Sequence, residues 1–351
     1  MADINVTHQP VRHIDVGLIV IDAYMSARQE DLELEREVEI INKPSIKSIH
    51  MESGQIVNCI DIYKQPSFDH PLLKDHKLQR KPNFQNPTGK TRQKALETKP
   101  MFGLGKDECP MGTVPILRTI EDDFIREKSL FNDHILVQDI PGVHIAEVAL
   151  KPNYGPYYGV GGVGVCARQC GCVFVSDLVY IQTTTKGLDA ICAGFIQTDR
   201  KVYLGATVTT ISHYGGPIYT TAWSISQDPV TKNWWISIAN KFIRYLPAKL
   251  FSNLNEASEV GWGGRTRTRP GTQSPQMGSG YFARDDNVTH ACFFKEVSIQ
   301  DNERKTHGAK VYETHSFSDS PNCYDVRYYG NQDPYYGYIL SFGGPGGNCG
   351  N

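Results

Sequence analysis

From His134 onward the chain is a succession of short strand-like runs broken by Gly, Pro, Asn and Asp, and this feature most limits the folds open to it. The runs are Ile145–Leu150, Tyr157–Val165, Val173–Val175, Leu178–Gln182, Lys201–Ile211, Ile218–Ser226 and Asn233–Ala239. Several alternate, with Thr207, Thr209 and Ile211 set against Val208, Thr210 and Ser212, as half-buried strands do. Asp228-Pro229-Val230-Thr231-Lys232-Asn233 supplies a hairpin turn, and Trp234-Trp235 opens the return strand. The expected fold class is mainly β: an antiparallel β-sandwich or jelly-roll-like domain preceded by a small α+β unit.

Composition agrees with this. Gly (32), Pro (20) and Tyr (18) are frequent, and long helical periodicities are confined to the first fifty residues. Lys and Arg (36) nearly balance Asp and Glu (38), so no polyanion partner is implied and no nucleic acid is expected. No run is long enough to span a membrane as a helix. The apolar run Val16–Ile21 is bracketed by Asp15 and Asp22, which makes an unconvincing signal peptide. Two glycosylation sequons begin at Asn5 and Asn287.

The N-terminal part divides as follows. Residues 1–25 form an atypical tail. Residues 26–120 form the small unit. Ser26–Ile41 reads as a helix with Leu34, Val38 and Ile41 on one face and Pro44 beyond its end. Two strand-like runs, Ser45–Met51 and Gln55–Tyr63, are joined at Glu52-Ser53-Gly54. Lys74–Lys106 lacks apolar periodicity and reads as an exposed connection. Glu108–Ile116 is a further short strand. Residues 121–133 are a linker, and 134–351 are the β domain. Nine cysteines are scattered through the chain, as in a secreted protein with disulfides. Cys59 and Cys109 are expected to close the N-terminal unit, stabilising it by on the order of 4 kcal/mol, and Cys323 and Cys349 to staple the tail.

Several motifs invite a chemical reading. Gly159-Val160-Gly161-Gly162-Val163-Gly164 fits GxGxxG, but Pro156-Tyr157-Tyr158 before it and a Cys/Gly run after it do not suit a nucleotide site, and glycines crossing a sheet at a bulge explain it better. Cys166, Cys170 and Cys172 lack the knuckle spacing of a zinc site, and no metal or other cofactor is expected. No His or Asp spacing supports a Ser-His-Asp relay around Ser279. Gly261–Phe282 places a tryptophan among glycines, then Arg265, Arg267 and Arg269, then a polar turn. This suits the floor of a surface groove, with a long hairpin and a solvated basic loop as the plain alternative. Trp262, Gly263, Gly264, Gln276, Ser279 and, less favoured than a core role, Trp234 are the groove candidates.

Together, Val57–Leu73, Cys109–Ile116, Gly194–Thr198, Asp228 to Trp235, Trp262-Gly263-Gly264, Gln276–Gly280 and Gly343–Gly346 resemble the neprosin family of plant glutamic prolyl endopeptidases, from about Arg28 to the end of the chain. The first two segments are similar to that family's activation peptide. The resemblance implies a secreted zymogen, extracellular or vacuolar, whose β-sandwich domain cleaves after proline at acid pH with two glutamates. One carboxylate takes a proton from the attacking water and the other, protonated, stabilises the oxyanion. This chain departs at both. The family's Glu after Trp-Gly-Gly is here Arg265. The second glutamate is lost near Ile191 and Cys192. Either Cys192 stands in its place, or, as the better alignment of Cys192–Thr198 suggests, the segment holding it is absent. The expectation is a catalytically inactive relative that keeps a groove for a peptide or Pro-rich protein. The alternative is an active acidic peptidase using other carboxylates, of which Glu147, Asp189 and Glu296 are available.

Overall fold

The computed structural model describes residues 34–36, 38–85, 103–120, 142–165, 172–173, 194–203, 206, 212, 216–250, 255–268, 271–284, 287 and 290–350. Residues 34–36 and 38–41 are helical, with Leu34, Val38 and Ile41 half-buried and Glu35, Arg36, Glu39 and Ile40 exposed. Then β1 (Lys47–His50) and β2 (Ile56–Asp61) form a hairpin whose turn carries Gly54 at φ 84°, a conformation that favours glycine. β3 (Thr113–Leu117) pairs with β2 and completes a three-stranded antiparallel sheet. The Cys59–Cys109 disulfide ties β2 to the chain that leads into β3.

The β domain is built from two antiparallel sheets. The smaller contains β4 (Val143–Leu150), β6 (Cys172–Val173), β11 (Gly261–Arg267) and β14 (Thr314–Ser318), in the order β14-β4-β11-β6. The larger contains β5 (Gly159–Val165), β7 (Ile196–Gln197), β8 (Thr220–Gln227), β9 (Trp234–Ile238), β10 (Lys241–Leu246), β12 (Cys292–Gln300), β15 (Asp325–Asn331) and β16 (Tyr338–Gly343), in the order β15-β16-β12-β5-β8-β9-β10-β7. A short β13 (Thr306–His307) pairs with β12. The chain is mainly β, as its strand runs imply.

Ala146, Val148, Leu150 and Trp262 from the small sheet and Val160, Phe294, Ile299, Leu340 and Phe342 from the large one belong to one buried cluster. Phe294 and Phe342 stack with centroids 5.7 Å apart. The glycine-rich segment is β5, hydrogen-bonded on both sides to β8 and β12. A side chain on Gly162 would crowd Val297, where β12 shifts register between Lys295 and Ser298. These glycines therefore serve close packing at a bulge. The Cys323–Cys349 disulfide secures the tail.

Trp234 takes the favoured core role: it is fully buried, since large aromatic surface is worth most away from water. Other expectations change. The stretch from Lys74 is not a free connection: His76, Gln79 and Asn83 bond to β10 and to the turn before β9, and Leu104 is buried. Ala248–Leu250 is a single 3-10 turn, and residues 255–258 are not helical. Residues 201–203 are not in a strand. The expected run Leu178–Gln182 lies outside the described residues, as do Arg269, Asp189, Ile191 and Cys192.

Gly264 is a tight contact between the two sheets. A methyl there would lie 2.5 Å from the Phe342 ring and 2.6 Å from Met277 sulfur. Gly264→Ala is expected to cost about 1–3 kcal/mol, read as a lower denaturant midpoint at unchanged slope. An unchanged midpoint would show that the two sheets meet elsewhere.

Candidate functional site

Strand alternation decides what the glycine-tryptophan segment presents. Trp262 points into the sandwich, is fully buried, and its indole N–H donates to the Gly161 carbonyl at 3.1 Å. Gly264 faces the same way. Neither forms the expected groove floor, since a tryptophan on β11 gains more by filling the space between the sheets. Residues 263 and 265 then fall on the opposite face. Gly263 is opposite Glu147 and Arg265 opposite Ile145 in the β4–β11 pairing. A side chain on Gly263 would collide with Ala146 and Glu147. Phe317 of β14 flanks Glu147 on its other side.

Glu147 is the unusual group on this face. It is only 5% exposed, and its Oε2 has no hydrogen-bond partner. Burial raises its pKa from 4.5 to about 7, the charge of Glu259 adds to the rise, and Arg265 opposes it. Glu259 itself lies 3.9 Å from His315 and is partly exposed. The cross-strand pairing thus brings Arg265, half-buried, beside a carboxyl that is neutral in mild acid. The sequence reading noted Glu147 but had no reason to pair it with Arg265, because only the register joins them. A hint was present: Ile145–Leu150 is apolar apart from Glu147, so a glutamate in that run is out of place.

The other candidates are dispersed. Met277 packs near Gly264, so the turn Gln276–Gly280 rests on the side of β11 away from Arg265. Ser279 donates to the His290 carbonyl at 2.9 Å, and Gln276 is exposed. Arg267 continues β11 opposite Val143. Among the described residues no group of three or more His, Cys, Asp or Glu side chains is arranged to hold a metal. No described helix is long and apolar enough to cross a membrane.

One constellation escaped the sequence reading. His144 Nδ1 lies 2.7 Å from Asp319 Oδ2, and His144 Nε2 lies 3.4 Å from Ser274 Oγ. The order of groups matches a Ser-His-Asp relay. Its surroundings do not. Ser274 is buried and receives a hydrogen bond from Thr268 Oγ1 at 2.7 Å. The Ser274 and Met277 amides donate to the Gly347 and Gly344 carbonyls, so neither N–H is left to hold an oxyanion. Asp319 also accepts from the Ile145 amide at 2.7 Å. The network pins the start of β4 to the tail.

Glu147 makes a pH prediction. Its proton affinity is raised on folding, so the folded state is favoured below about pH 4.5, and stability is lost as pH rises through about 7. Glu147→Gln, which stays neutral, should become more stable than the parent protein by up to about 3 kcal/mol above pH 8 and differ little at pH 4. Melting curves at the two pH values measure this, and a difference that does not change with pH would show that Glu147 is ionised in the fold.

Two family models match the chain. The neprosin activation peptide model covers residues 48–135, and the neprosin model covers residues 175–345. Both matched regions include parts that the resemblance was read from, and the first contains the β1–β3 sheet and its disulfide. The chain belongs to the neprosin family, with an activation-peptide unit preceding the neprosin domain.

Proposed function

We propose that this chain is a zymogen-type neprosin relative, of the extracellular or vacuolar space, that holds a peptide or Pro-rich protein against the outer face of β4 and β11 without cutting it. The observation that carries this reading is Arg265. It occupies the position after Trp262-Gly263-Gly264 where the family has glutamate, and it shares a face with the buried Glu147. A guanidinium has no lone pair and stays charged at any working pH, so it cannot take a proton from water. Glu147 cannot substitute in acid, because its carboxyl is then protonated. Protonated, it is a hydrogen-bond donor and not a base. The second family glutamate belongs to the region near Ile191 and Cys192, outside the described residues. Disulfides support a secretory route.

One observation favours a second reading, an active acidic peptidase using other carboxylates. Glu147 feels the charge of Glu259, and two carboxyls of separated proton affinity are what such chemistry uses. In that scheme Glu259 would be the base, and its pairing with His315 at 3.9 Å argues against it.

A quenched fluorescent peptide containing proline, assayed at pH 4–6, separates the readings. The parent chain is expected to bind it without turnover. Arg265→Glu is expected to raise turnover from background, by no more than the roughly 10²–10⁴-fold that a positioned base supplies. Parent turnover abolished by Glu147→Gln would establish the second reading and overturn the first.

A further inference from the structure

The small sheet ends on β14, which among the described residues pairs with β4 alone. The register shows which backbone groups that leaves over. The Asp319 amide donates to the Ile145 carbonyl, and the Lys151 amide donates to the Glu313 carbonyl. These two bonds fix the alternation of an antiparallel ladder. Residues 313, 315, 317 and 319 turn their N–H and C=O groups toward β4, and Ser316 and Ser318 turn theirs away. Ser316 is exposed, and among the described residues no backbone hydrogen bond reaches Ser316 or Ser318 from the free side.

Sheet edges are commonly blunted by Lys or Pro, by a bulge or by a covering segment. β14 is Thr-His-Ser-Phe-Ser, with no Lys, no Pro and no register shift against β4. Apolar groups gather around it instead. Val311 and Tyr312, in the 3-10 turn that leads into β14, are 61% and 57% exposed, and Phe317 is 37% exposed. Tyr154, also exposed, lies against Tyr312 with ring centroids 5.9 Å apart. Exposed apolar surface beside unpaired backbone groups marks an association surface.

We propose that two copies of this chain join edge to edge through β14, antiparallel about a two-fold axis at Phe317. The occupant is a second copy because the edge is complementary to itself in this register. Ser316 comes opposite the partner's Ser318, and the two exchange N–H and C=O bonds on both sides of the axis. Phe317 meets the partner's Phe317 at a non-hydrogen-bonded position, where side chains approach closest and aromatic pairs stabilise a sheet. His315 comes opposite the partner's Asp319, so an imidazole meets a carboxylate. Neighbouring registers are poorer. Centring on Ser316 sets Glu313 against the partner's Asp319, carboxylate facing carboxylate. Centring on His315 requires the Thr314 amide, which already donates to the Val311 carbonyl.

The union enlarges the outer face of the small sheet. Glu147 lies beside Phe317 in the β4–β14 pairing and beside Gly263 in the β4–β11 pairing. The row Gly263, Glu147, Phe317 therefore continues into the partner's Phe317, Glu147 and Gly263. With neighbouring strands about 4.8 Å apart, the two Glu147 positions come within roughly 15 Å of each other. An extended ligand crossing the axis would meet both. The pairing itself stands whether or not that face holds a peptide.

Sedimentation velocity of the full chain over a concentration series tests this. A few backbone bonds and one aromatic pair make a weak contact, with an expected Kd on the order of 10–100 μM. The weight-average mass of the parent should rise toward that of a dimer across this range. Ser316→Pro removes the free N–H and blocks the edge without breaking a bond to β4. Phe317→Lys sets two cations face to face on the axis. Each should weaken association at least about tenfold, while melting curves taken on the dilute monomers report that the variants are folded; Phe317→Lys carries the test alone if Ser316→Pro is not. A parent chain that stays monomeric to about 1 mM, well above that Kd, would overturn the proposal. Dimers formed equally well by the folded variants would also overturn it, since the contact would then lie elsewhere.

Discussion

The indole of Trp262 ties the small sheet to the large one, and the remainder of the candidate site follows from that contact. Once Trp262 is buried with its N–H on the Gly161 carbonyl, the period of the strand leaves no freedom. Gly264 must face Phe342, and Gly263 and Arg265 must face away from the core. Pairing with β4 then sets Glu147 opposite Gly263. A cation, a carboxyl of raised proton affinity and a glycine share that face. Here the same residues that build the core also choose the chemistry of the outer surface.

A second constraint is the exposed end of the large sheet. β7 is two residues long and, among the described residues, has no further strand beside it. An unpaired strand edge is a template for association. The N-terminal unit covers it with a side-chain amide, a serine hydroxyl and main-chain groups in place of another strand. Hydrogen bonds of this kind contribute modestly when made and cost more when left unmade under burial. This seam is therefore specific to this partner, and apolar contacts across it, such as Leu104 with Tyr203 and Phe84 with Phe242, add to its hold.

Local features were legible in the sequence and non-local ones were not. The Gly54 hairpin, the Asp228 turn, the strand nature of Gly159–Val165 and the end of the helix at Ile41 each depend on residues within a few positions, where backbone preferences act. Glu147 and Arg265 lie more than a hundred residues apart, and only strand register joins them. Lys74–Lys106 read as exposed because hydrogen-bonded docking leaves no apolar periodicity to detect; Gln79 and Asn83 look like loop residues until Asp228 is placed beneath them. Trp262 was misread for a related reason: flanking glycines suit both an open groove and a tight core, and the distinction rests on Phe342 and Met277 from distant strands. The His144–Asp319–Ser274 network joins three widely separated parts of the chain and left no local signature.

The face of β4 and β11 holds one buried carboxyl, whose Oε2 has no hydrogen-bond partner, beside a cation. Carbon-13 NMR titration of glutamate-labelled protein tests it directly. The account expects the Glu147 carboxyl carbon to titrate in a single step near pH 7. Two mutually dependent steps, seen on the Glu147 and Glu259 carbons and split far apart in pH, would reveal a working carboxyl pair and contradict it.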